Sequence, residues 1–481
     1  MKVKELDPRV VWEFFDDITR IPRPSKHEER IMAWLEQFAE ERGLEYERDS
    51  VGNLVIRKPA SAGYESSQGV ILQSHVDMVA EKNSDVEFDF LKDPIQTYVE
   101  DGWVKARGTT LGADCGIGVA AALAVLASDI PHGPLEALFT VDEETGLTGA
   151  FGLGENLLRG NYLINLDSEE EGEIFIGCAG GIDTVARIKY VEEPLPVGYA
   201  GCKISVRGLK GGHSGDDIHR GLANSNKLIT RFLRGFAKLA DVRLGWVDGG
   251  NLHNAIPREA YARFAVPAEN VVELDEYFAS FVAAVTEEFR HVEDKMEFKM
   301  EGNEMESVID KVTQTKLLGA LQGVPNGVLA MSHTIEGLVD TSTNLASVKF
   351  VDDNIIKVVT SQRSSSESSK YDAMDSVESV FQLAGAAITH SDGYPGWTPD
   401  PDSELLAVTK RSYESLFGKE PRIRAIHAGL ECGLFLKKYP HLQMVSFGPT
   451  LRGVHSPDER MEIKTVDKFW ELLKRVLAEI K

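Results

Sequence analysis

The segment Val70-Ile71-Leu72-Gln73-Ser74-His75-Val76-Asp77 decides the fold class. Its apolar beginning is typical of a buried strand, and a His-x-Asp pair closes it. In open α/β sheets, ligands bind at the carboxyl ends of the strands. A metal-bound imidazole also needs its second nitrogen fixed, usually by a carboxylate. The segment therefore favours His75 as a metal ligand and Asp77 as its orienting partner, although a lone His-x-Asp is more often an ordinary loop feature.

Strands alternate with helices on both sides of this segment. The apolar pattern predicts strands over 135–141 and 162–166, with an alanine-rich helix over 117–126 before them. The same style returns after about residue 390, with helices over 405–417 and 466–480 and a strand over 443–447. This order predicts an α/β domain whose mixed sheet is covered by helices on both faces.

A different pattern interrupts that domain. Between 187 and 388 the predicted order of elements is βαββαβ, which is typical of an α+β ferredoxin-like sandwich. A second stretch of this kind over about 308–385 suggests an internal duplication. We therefore expect a catalytic domain formed by residues 1–186 and 389–481, with residues 187–388 inserted as a lid domain.

Carboxylates follow the predicted strands and turns of the α/β domain. Asp114, in Gly112-Ala113-Asp114-Cys115-Gly116, could bridge two cations or could simply cap the following helix. Glu143 and Glu144 belong to a run of three consecutive acids after a predicted strand. Such acids repel one another unless a cation neutralises their charge. The alternative interpretation is a loop of acids exposed to solvent. One of the two glutamates could bind metal while the other acts as general base.

Two more candidates complete this set. Asp167 ends the predicted strand over 162–166, and His455 lies in the loop Gly453-Val454-His455-Ser456-Pro457 after the strand over 443–447. His455 alone is more often a surface histidine than a ligand. Histidine and carboxylate ligands without thiolate favour Zn²⁺, with Mn²⁺ or Co²⁺ as alternatives, in an open catalytic site.

The composition narrows the classes of function. The chain has 481 residues and a net charge of −24, from 76 acidic and 52 basic residues, which disfavours nucleic-acid binding. It lacks a long apolar run, so we expect neither a membrane span nor a secretory signal. Four scattered cysteines argue against a disulfide framework. These features predict a cytoplasmic protein.

The order of the motifs resembles that of the zinc aminopeptidase-like family of metallopeptidases, which includes carnosinases, aminoacylase and bacterial aminoacyl-histidine dipeptidases. The matching segments run HVD, GADCG, DEETG, NLD and GVHSPDE from about residue 75 to 459. The variants EETGLTGA and GLECG look closest to the aminoacyl-histidine dipeptidases. Inside the insert, Gly212-His213-Ser214-Gly215 and Asn254-Ala255-Ile256-Pro257 resemble family elements of the lid.

The resemblance implies a role for each candidate. His75 and Asp167 would hold one metal ion, Glu144 and His455 the other, and Asp114 would bridge them, with the Asp114–Cys115 bond cis. Glu143 would be the general base for a water held between the ions. The expected substrate-binding residues are His213, as donor to the oxyanion, Arg363, for the substrate carboxylate, Asn254 and Gly429.

The resemblance also leaves alternatives open. It implies a dipeptidase of Xaa-His or broad specificity acting on short peptides, with a homodimer through the lid as an expected assembly. A tripeptidase, aminoacylase or carboxypeptidase of the same family is the second interpretation. A noncatalytic metal-binding protein is the third, and the presence of Glu143 disfavours it.

Overall fold

The computed structural model describes residues 2–481, and these residues form two compact units. Unit 1 comprises the chain up to Gly177 together with Trp397–Ala425 and Leu430–Lys481. Unit 2 comprises Cys178–Gly396 and Ile426–Gly429. The boundary that the sequence predicted after residue 186 falls inside a strand of unit 2, Gly180–Lys189. None of the described helices is both long enough and apolar enough to cross a membrane.

Strands and helices are numbered in chain order through both units. Unit 1 takes its elements from the two ends of the chain, so its numbers omit those of unit 2. The strands are β1 (Glu45–Arg48), β2 (Leu54–Lys58), β3 (Val70–His75), β4 (Thr97–Glu100), β5 (Trp103–Ala106), β6 (Leu135–Thr140), β7 (Tyr162–Asn165), β8 (Glu173–Cys178), β22 (Arg422–Ile426), β23 (Gln443–Ser446), β24 (Leu451–Arg452) and β25 (Arg460–Glu462). The helices are α1 (Arg9–Ile18), α2 (Glu29–Glu41), α3 (Ala113–Ala127), α4 (Glu143–Gly146), α5 (Thr148–Gly152), α10 (Glu404–Phe417), α11 (Glu431–Lys438) and α12 (Ile463–Glu479).

Unit 1 is built on an eight-stranded mixed sheet of order β1-β2-β6-β3-β7-β23-β8-β22. Its centre is parallel, because β3 pairs in parallel with both β6 and β7, and β23 pairs in parallel with β7. Every residue of β3, β6 and β7 is buried. Parallel strands end at the same edge of a sheet, so the residues that follow them are brought together. The predicted mixed-sheet α/β architecture is confirmed.

Helix α3 shows why alanine is common next to this sheet. After its first two residues almost every side chain of α3 is buried, and its residues are mostly Ala, Val, Leu and Gly. A helix that is apolar all round is a core helix, and small side chains let it lie close to its neighbours. Its first turn departs from helical geometry at Asp114 and Cys115, so the chain enters the helix through an irregular segment that presents Asp114.

Unit 2 contains the remaining elements. Its strands are β9 (Gly180–Lys189), β10 (Glu192–Pro194), β11 (Tyr199–Arg207), β12 (Gly212–His213), β13 (Arg243–Gly249), β14 (Ala255–Ile256), β15 (Ala260–Pro267), β16 (Glu297–Gly302), β17 (Ser307–Ile309), β18 (Gly327–Met331), β19 (Val339–Val351), β20 (Ile355–Ser364) and β21 (Ala387–His390). Its helices are α6 (Ser225–Phe236), α7 (Val271–Phe289), α8 (Lys311–Gly323) and α9 (Glu367–Leu383).

The main sheet of unit 2 contains the same strand arrangement twice. Strands β11, β13, β15 and β16, with α6 and α7, form a βαββαβ motif of order 4-1-3-2, and β9, β19, β20 and β21, with α8 and α9, repeat it. Strands β13 and β19 join the two halves in antiparallel pairing. The strand order therefore shows an internal duplication. The second motif begins at β9 rather than near residue 308, because the first motif is inserted in the chain after β9.

Candidate metal centre

The five predicted ligands all lie in unit 1, at the edge where its central parallel strands end. His75 is the last residue of β3, and Asp167 follows β7 by two residues. Glu144 lies in α4, which follows β6. Asp114 lies in the irregular first turn of α3, and His455 in the loop between β24 and β25.

Asp114 lies between two pairs of ligand-type side chains. Its Oδ1 is 3.2 Å from Nε2 of His75, and its Oδ2 is 3.1 Å from Nε2 of His455. Asp167 Oδ1 is 3.3 Å from the same His75 nitrogen, and Glu144 Oε2 is 3.0 Å from the same His455 nitrogen. The two oxygens of one carboxylate therefore face two separate donor sets, each made of one imidazole and one carboxylate.

This donor set fits a pair of divalent cations. Within residues 2–481, Glu144 Oε1 is buried without a hydrogen-bond partner, and buried Asp167 Oδ1 has only the 3.3 Å ion-pair contact with His75. Buried carboxylate oxygens normally have a partner, so these two atoms point to a ligand of positive charge. Imidazole and carboxylate together suit Zn²⁺, Mn²⁺ or Co²⁺.

Burial and neighbouring charges shift the pKa values of these side chains. Burial, reinforced by the nearby charge of Asp114, raises the pKa of Asp167 to about 6. Hydrogen bonds to Asp114 and Glu144 raise the pKa of His455 to about 11. Burial works against ionisation of Asp114, yet hydrogen bonds from His455 and His75 hold its pKa below its ordinary value. Buried acids and imidazoles that shift one another in this way are typical of functional sites.

Cys115 lies close to this cluster. Its Sγ falls within 4.8 Å of ligand atoms of His75 and Asp167. Burial and the charge of Asp167 raise the pKa of the thiol well above its ordinary value, and Sγ is 3.5 Å from the carbonyl oxygen of Leu166. A thiol in this state is a poor ligand, because thiolate is the form that binds metal. The Asp114–Cys115 peptide bond is cis, as the family resemblance implied.

Asp77 does more than contact His75. Its Oδ1 is 3.3 Å from Nδ1 of His75, the position expected for an orienting carboxylate. The same carboxylate accepts the backbone N–H groups of Glu143 and Glu144, at 3.0 and 3.1 Å. It therefore links the imidazole at the end of β3 to the turn that carries both glutamates. Burial raises the pKa of Glu143 well above its ordinary value, as expected for a carboxyl group that exchanges protons.

Two buried charged residues that the sequence did not single out hold the loops of this centre. Glu459 accepts the backbone N–H groups of four consecutive residues, 111–114, at 2.7, 3.0, 2.8 and 3.4 Å. Arg23 donates to the carbonyl oxygens of Val76 and Asp77, at 2.7 and 2.8 Å, and to that of Gly112 at 2.5 Å. They therefore position the segments that carry His75 and Asp114.

Buried polar side chains lie at or just before the ends of three central strands: Thr140 and Asn165 are the last residues of β6 and β7, and Gln73 lies two residues before the end of β3. Gln73 Nε2 donates to Glu431 Oε2 at 2.6 Å, and Gln73 Oε1 accepts from Asn165 at 2.5 Å. Thr140 also donates to Glu431, at 2.9 Å. This network joins three strands directly beneath the ligands, and burial raises the pKa of Glu431 to about 8.

A third cluster of acids, Glu28, Asp77 and Asp142, also lies within metal-binding distance. Its oxygens already have donors, since Glu28 accepts the N–H groups of Lys26 and Asp142 at 2.8 and 3.1 Å, and Asp142 accepts from two threonine hydroxyls. This cluster is satisfied by the protein itself.

The four predicted substrate-binding residues lie in unit 2. His213, in β12, pairs with Ala255 in β14, and the carbonyl of Asn254 accepts the N–H of Ser214 at 2.8 Å, so His213 and Asn254 come from adjoining segments. Arg363, in β20, is 5% exposed. Gly429 belongs to the short segment Ile426–Gly429, and it lies against the ring of Tyr394.

The chain matches known proteins over most or all of its length. Residues 71–479 match the model of peptidase family M20/M25/M40. The chain is 46% identical over 482 residues to the cytosol non-specific dipeptidase of Escherichia coli (strain K12), across 100% of this chain and 99% of the relative.

Solved structures match over nearly the whole chain as well. The crystal structure of aminoacylhistidine dipeptidase from Vibrio alginolyticus superposes with a TM-score of 0.94 and 46% identity, covering 100% of this chain and 98% of the other. A tripeptidase from Staphylococcus aureus shares the fold, with a TM-score of 0.57 at 16% identity, 98% of each chain being covered. The family predicted from the motifs is therefore confirmed: this chain belongs to peptidase family M20/M25/M40.

Proposed function

We propose that this protein is a di-metal dipeptidase with broad or Xaa-His specificity. The observation that carries the proposal is the carboxylate of Asp114, whose two oxygens face two separate imidazole–carboxylate pairs beside Glu143. The relatives that match over the full chain are named as a non-specific dipeptidase and an aminoacylhistidine dipeptidase, which supports a dipeptide substrate.

We assign one cation to His75 and Asp167 and the other to Glu144 and His455, with Asp114 shared, and we expect Zn²⁺, with Mn²⁺ or Co²⁺ as substitutes. Bound cations of this kind lower the pKa of water and polarise the scissile carbonyl. Asp77 fixes the orientation of His75, and it holds the two glutamates through their backbone N–H groups.

Glu143 is assigned as the general base. It takes a proton from the attacking water and delivers it to the amine that leaves, so one carboxyl group serves both half-reactions. Its location suits this role, because its backbone N–H is tied to Asp77 and burial favours the protonated form of its carboxyl group.

His213 is assigned as a donor to the oxyanion that develops on the scissile carbonyl. Its Nδ1 accepts the backbone N–H of Asp216 at 3.2 Å. Nδ1 also lies 3.2 Å from Oδ2 of Asp216, so Asp216 occupies this nitrogen, and Nε2 is the ring nitrogen left to face the oxyanion. Asn254, from the adjoining segment, would contact the polar backbone of the substrate.

Arg363 is assigned to the free carboxylate of the substrate. It is 5% exposed, and its Nε is buried without a hydrogen-bond partner within residues 2–481. A buried guanidinium with an unused donor suits a carboxylate, which accepts two parallel N–H bonds. Recognition of a free carboxylate favours peptidase activity at a C-terminal residue.

A substrate panel separates the dipeptidase from the related activities. The panel contains Ala-Ala, Gly-His, carnosine, a tripeptide and N-acetyl amino acids, each tested with added Zn²⁺, Mn²⁺ or Co²⁺. We expect the dipeptides to be hydrolysed fastest. Equal or better turnover of the tripeptide or the N-acetyl amino acids would contradict the proposal and favour a tripeptidase or an aminoacylase.

Substitution of Glu143 distinguishes a role in catalysis from a role in metal binding. Glu143→Gln should lower kcat by at least about 100-fold, the usual contribution of a general base, while the metal content stays at two ions per chain. Glu155→Gln, at an exposed acid of the same unit, is the matched control and should match the wild type. Retained activity of Glu143→Gln would remove this residue as the base.

We also propose that the enzyme acts in the cytosol, as the name of its E. coli relative states for that protein, and that it forms a homodimer through unit 2. Sedimentation equilibrium measures the assembly directly. A mass of one chain at all concentrations would contradict the dimer.

A further inference from the structure

We propose that Tyr394 is a positioning residue that fixes the guanidinium of Arg363 for the carboxylate of the substrate. The inference rests on the proposed function, because it concerns the residue assigned to that carboxylate. Tyr394 was not singled out by any motif. Its importance comes from three contacts within unit 2.

The first contact is a hydrogen bond between the two side chains. Nη1 of Arg363 donates to the hydroxyl oxygen of Tyr394 at 2.8 Å. A free arginine side chain has many rotamers, and ordering it on binding costs free energy. One fixed N–H bond removes most of that freedom in advance and leaves the other guanidinium donors, including the unpartnered Nε, for a carboxylate.

The second contact is the close packing of the tyrosine ring against two glycines. A Cβ atom at Gly181 would lie 2.7 Å from the ring and its hydroxyl, and a Cβ atom at Gly429 would lie 2.8 Å from the ring. Real Cβ atoms essentially never lie this close to a non-bonded heavy atom, so a larger residue at either position would force the ring or the backbone to shift. The glycine at 429, predicted from the sequence to contact substrate, is therefore needed to seat Tyr394.

The third contact holds the tyrosine backbone. Tyr394 N donates to Gly181 O at 2.8 Å, and Gly181 N donates to Tyr394 O at 3.0 Å. Lys370, which is 2% exposed, donates to the same carbonyl of Tyr394 at 2.9 Å. The ring and the backbone of Tyr394 are thus both fixed, which is what a residue that orients another side chain requires.

The register of the sheet places Arg363 beside other buried residues of unit 2. Gly181 lies opposite Arg363, and Arg363 lies opposite Ser342, in three neighbouring strands. Residues in register share one face of a sheet. Ser342 in turn contacts His427, with 2.7 Å between Oγ and Nε2. Burial raises the pKa of Tyr394, so its hydroxyl stays neutral and keeps a hydrogen while it accepts from Arg363.

Steady-state kinetics of Tyr394→Phe tests the proposal, because phenylalanine keeps the ring and removes only the hydroxyl. With Ala-Ala as substrate we expect KM to rise about tenfold, the usual effect of losing one hydrogen bond to a charged group, while kcat stays within about twofold. Ala-Ala amide lacks the carboxylate, so the wild type and Tyr394→Phe should hydrolyse it equally.

Two further variants test the same pair of residues, and one of them, Gly181→Ala, does so without replacing Tyr394. In an Arg363→Lys background, Tyr394→Phe should change KM by less than about twofold, because the partner is already gone. Gly181→Ala should raise KM in the same way as Tyr394→Phe, since it displaces the ring.

The outcomes distinguish this inference from the proposed function. A wild type that hydrolyses no dipeptide would overturn both. An active wild type whose KM for Ala-Ala does not change in Tyr394→Phe would overturn this inference alone. A variant that loses activity on Ala-Ala and its amide to the same degree would show a structural role and overturn it too.

Discussion

Replacing Glu459 by glutamine should loosen the loop that carries Asp114. In the native structure each carboxylate oxygen of Glu459 accepts two backbone N–H groups, from residues 111 and 112 on one side and 113 and 114 on the other. An amide keeps one such oxygen. Its NH₂ group, which can only donate, would face the other two N–H groups.

The magnitude follows from the two bonds that are lost. A hydrogen bond to a charged group contributes about 1.5–3 kcal/mol net, so the loop should lose roughly 3–6 kcal/mol. Glu459 is 2% exposed, so water cannot readily replace the missing acceptor. Because about 1.4 kcal/mol corresponds to a factor of ten in an equilibrium constant, local opening should become at least about 100-fold more frequent.

Hydrogen exchange of the amides of residues 111–114 measures that opening. The experiment is done in EDTA for wild type and Glu459→Gln, so that metal binding does not contribute to the difference. Asp458→Asn, which changes the neighbouring exposed acid, is the matched control and should exchange like the wild type. Unchanged protection of these amides in Glu459→Gln would refute the assigned role of Glu459.

Asp77 in unit 1 and His427 in unit 2 provide two further tests. Asp77→Asn should lower the metal affinity or kcat by about 10–100-fold, the range found for residues that orient metal ligands; equal metal retention under limiting chelator together with equal kcat would contradict it. For His427, burial, then the charge of Arg363, lowers the folded pKa to about 4, below the unfolded value of about 6.5. The unfolded chain therefore gains a proton first as the pH falls, and the wild type should lose about 2 kcal/mol of stability by pH 5. Urea unfolding of the wild type and of His427→Gln at pH 7.5 and pH 5 measures this effect. Between these pH values the free energy of unfolding of His427→Gln should fall by about 2 kcal/mol less than that of the wild type. Equal falls would contradict the assignment.

The candidate ligands could be picked out from the sequence because their signals are local. His75 and Asp167 end apolar runs that are recognisable as strands, and parallel strands bring such ends together. The resemblance to the family then implied the role of base for Glu143 and that of ligand for Glu144. No local sequence pattern separates these two roles. The same signals predicted the α/β sheet.

The supporting residues could not be predicted because their contacts are distant in sequence. Glu459 binds backbone groups about 345 residues earlier in the chain, and Arg23 reaches Gly112 across 89 residues. Burial of a charged residue leaves no mark in a local pattern, so both would be taken for surface residues. Strand β9 was missed as the start of the second ferredoxin-like motif because its partners follow only after the inserted first motif.

We expect two cations, one on each side of Asp114. A crystal structure of the protein with Zn²⁺, with anomalous data at the zinc edge, measures this directly. We predict two peaks about 3.5–4 Å apart, one beside His75 and Asp167 and the other beside Glu144 and His455. A single peak, or a peak bound by Cys115 or by Glu28 and Asp142, would contradict it.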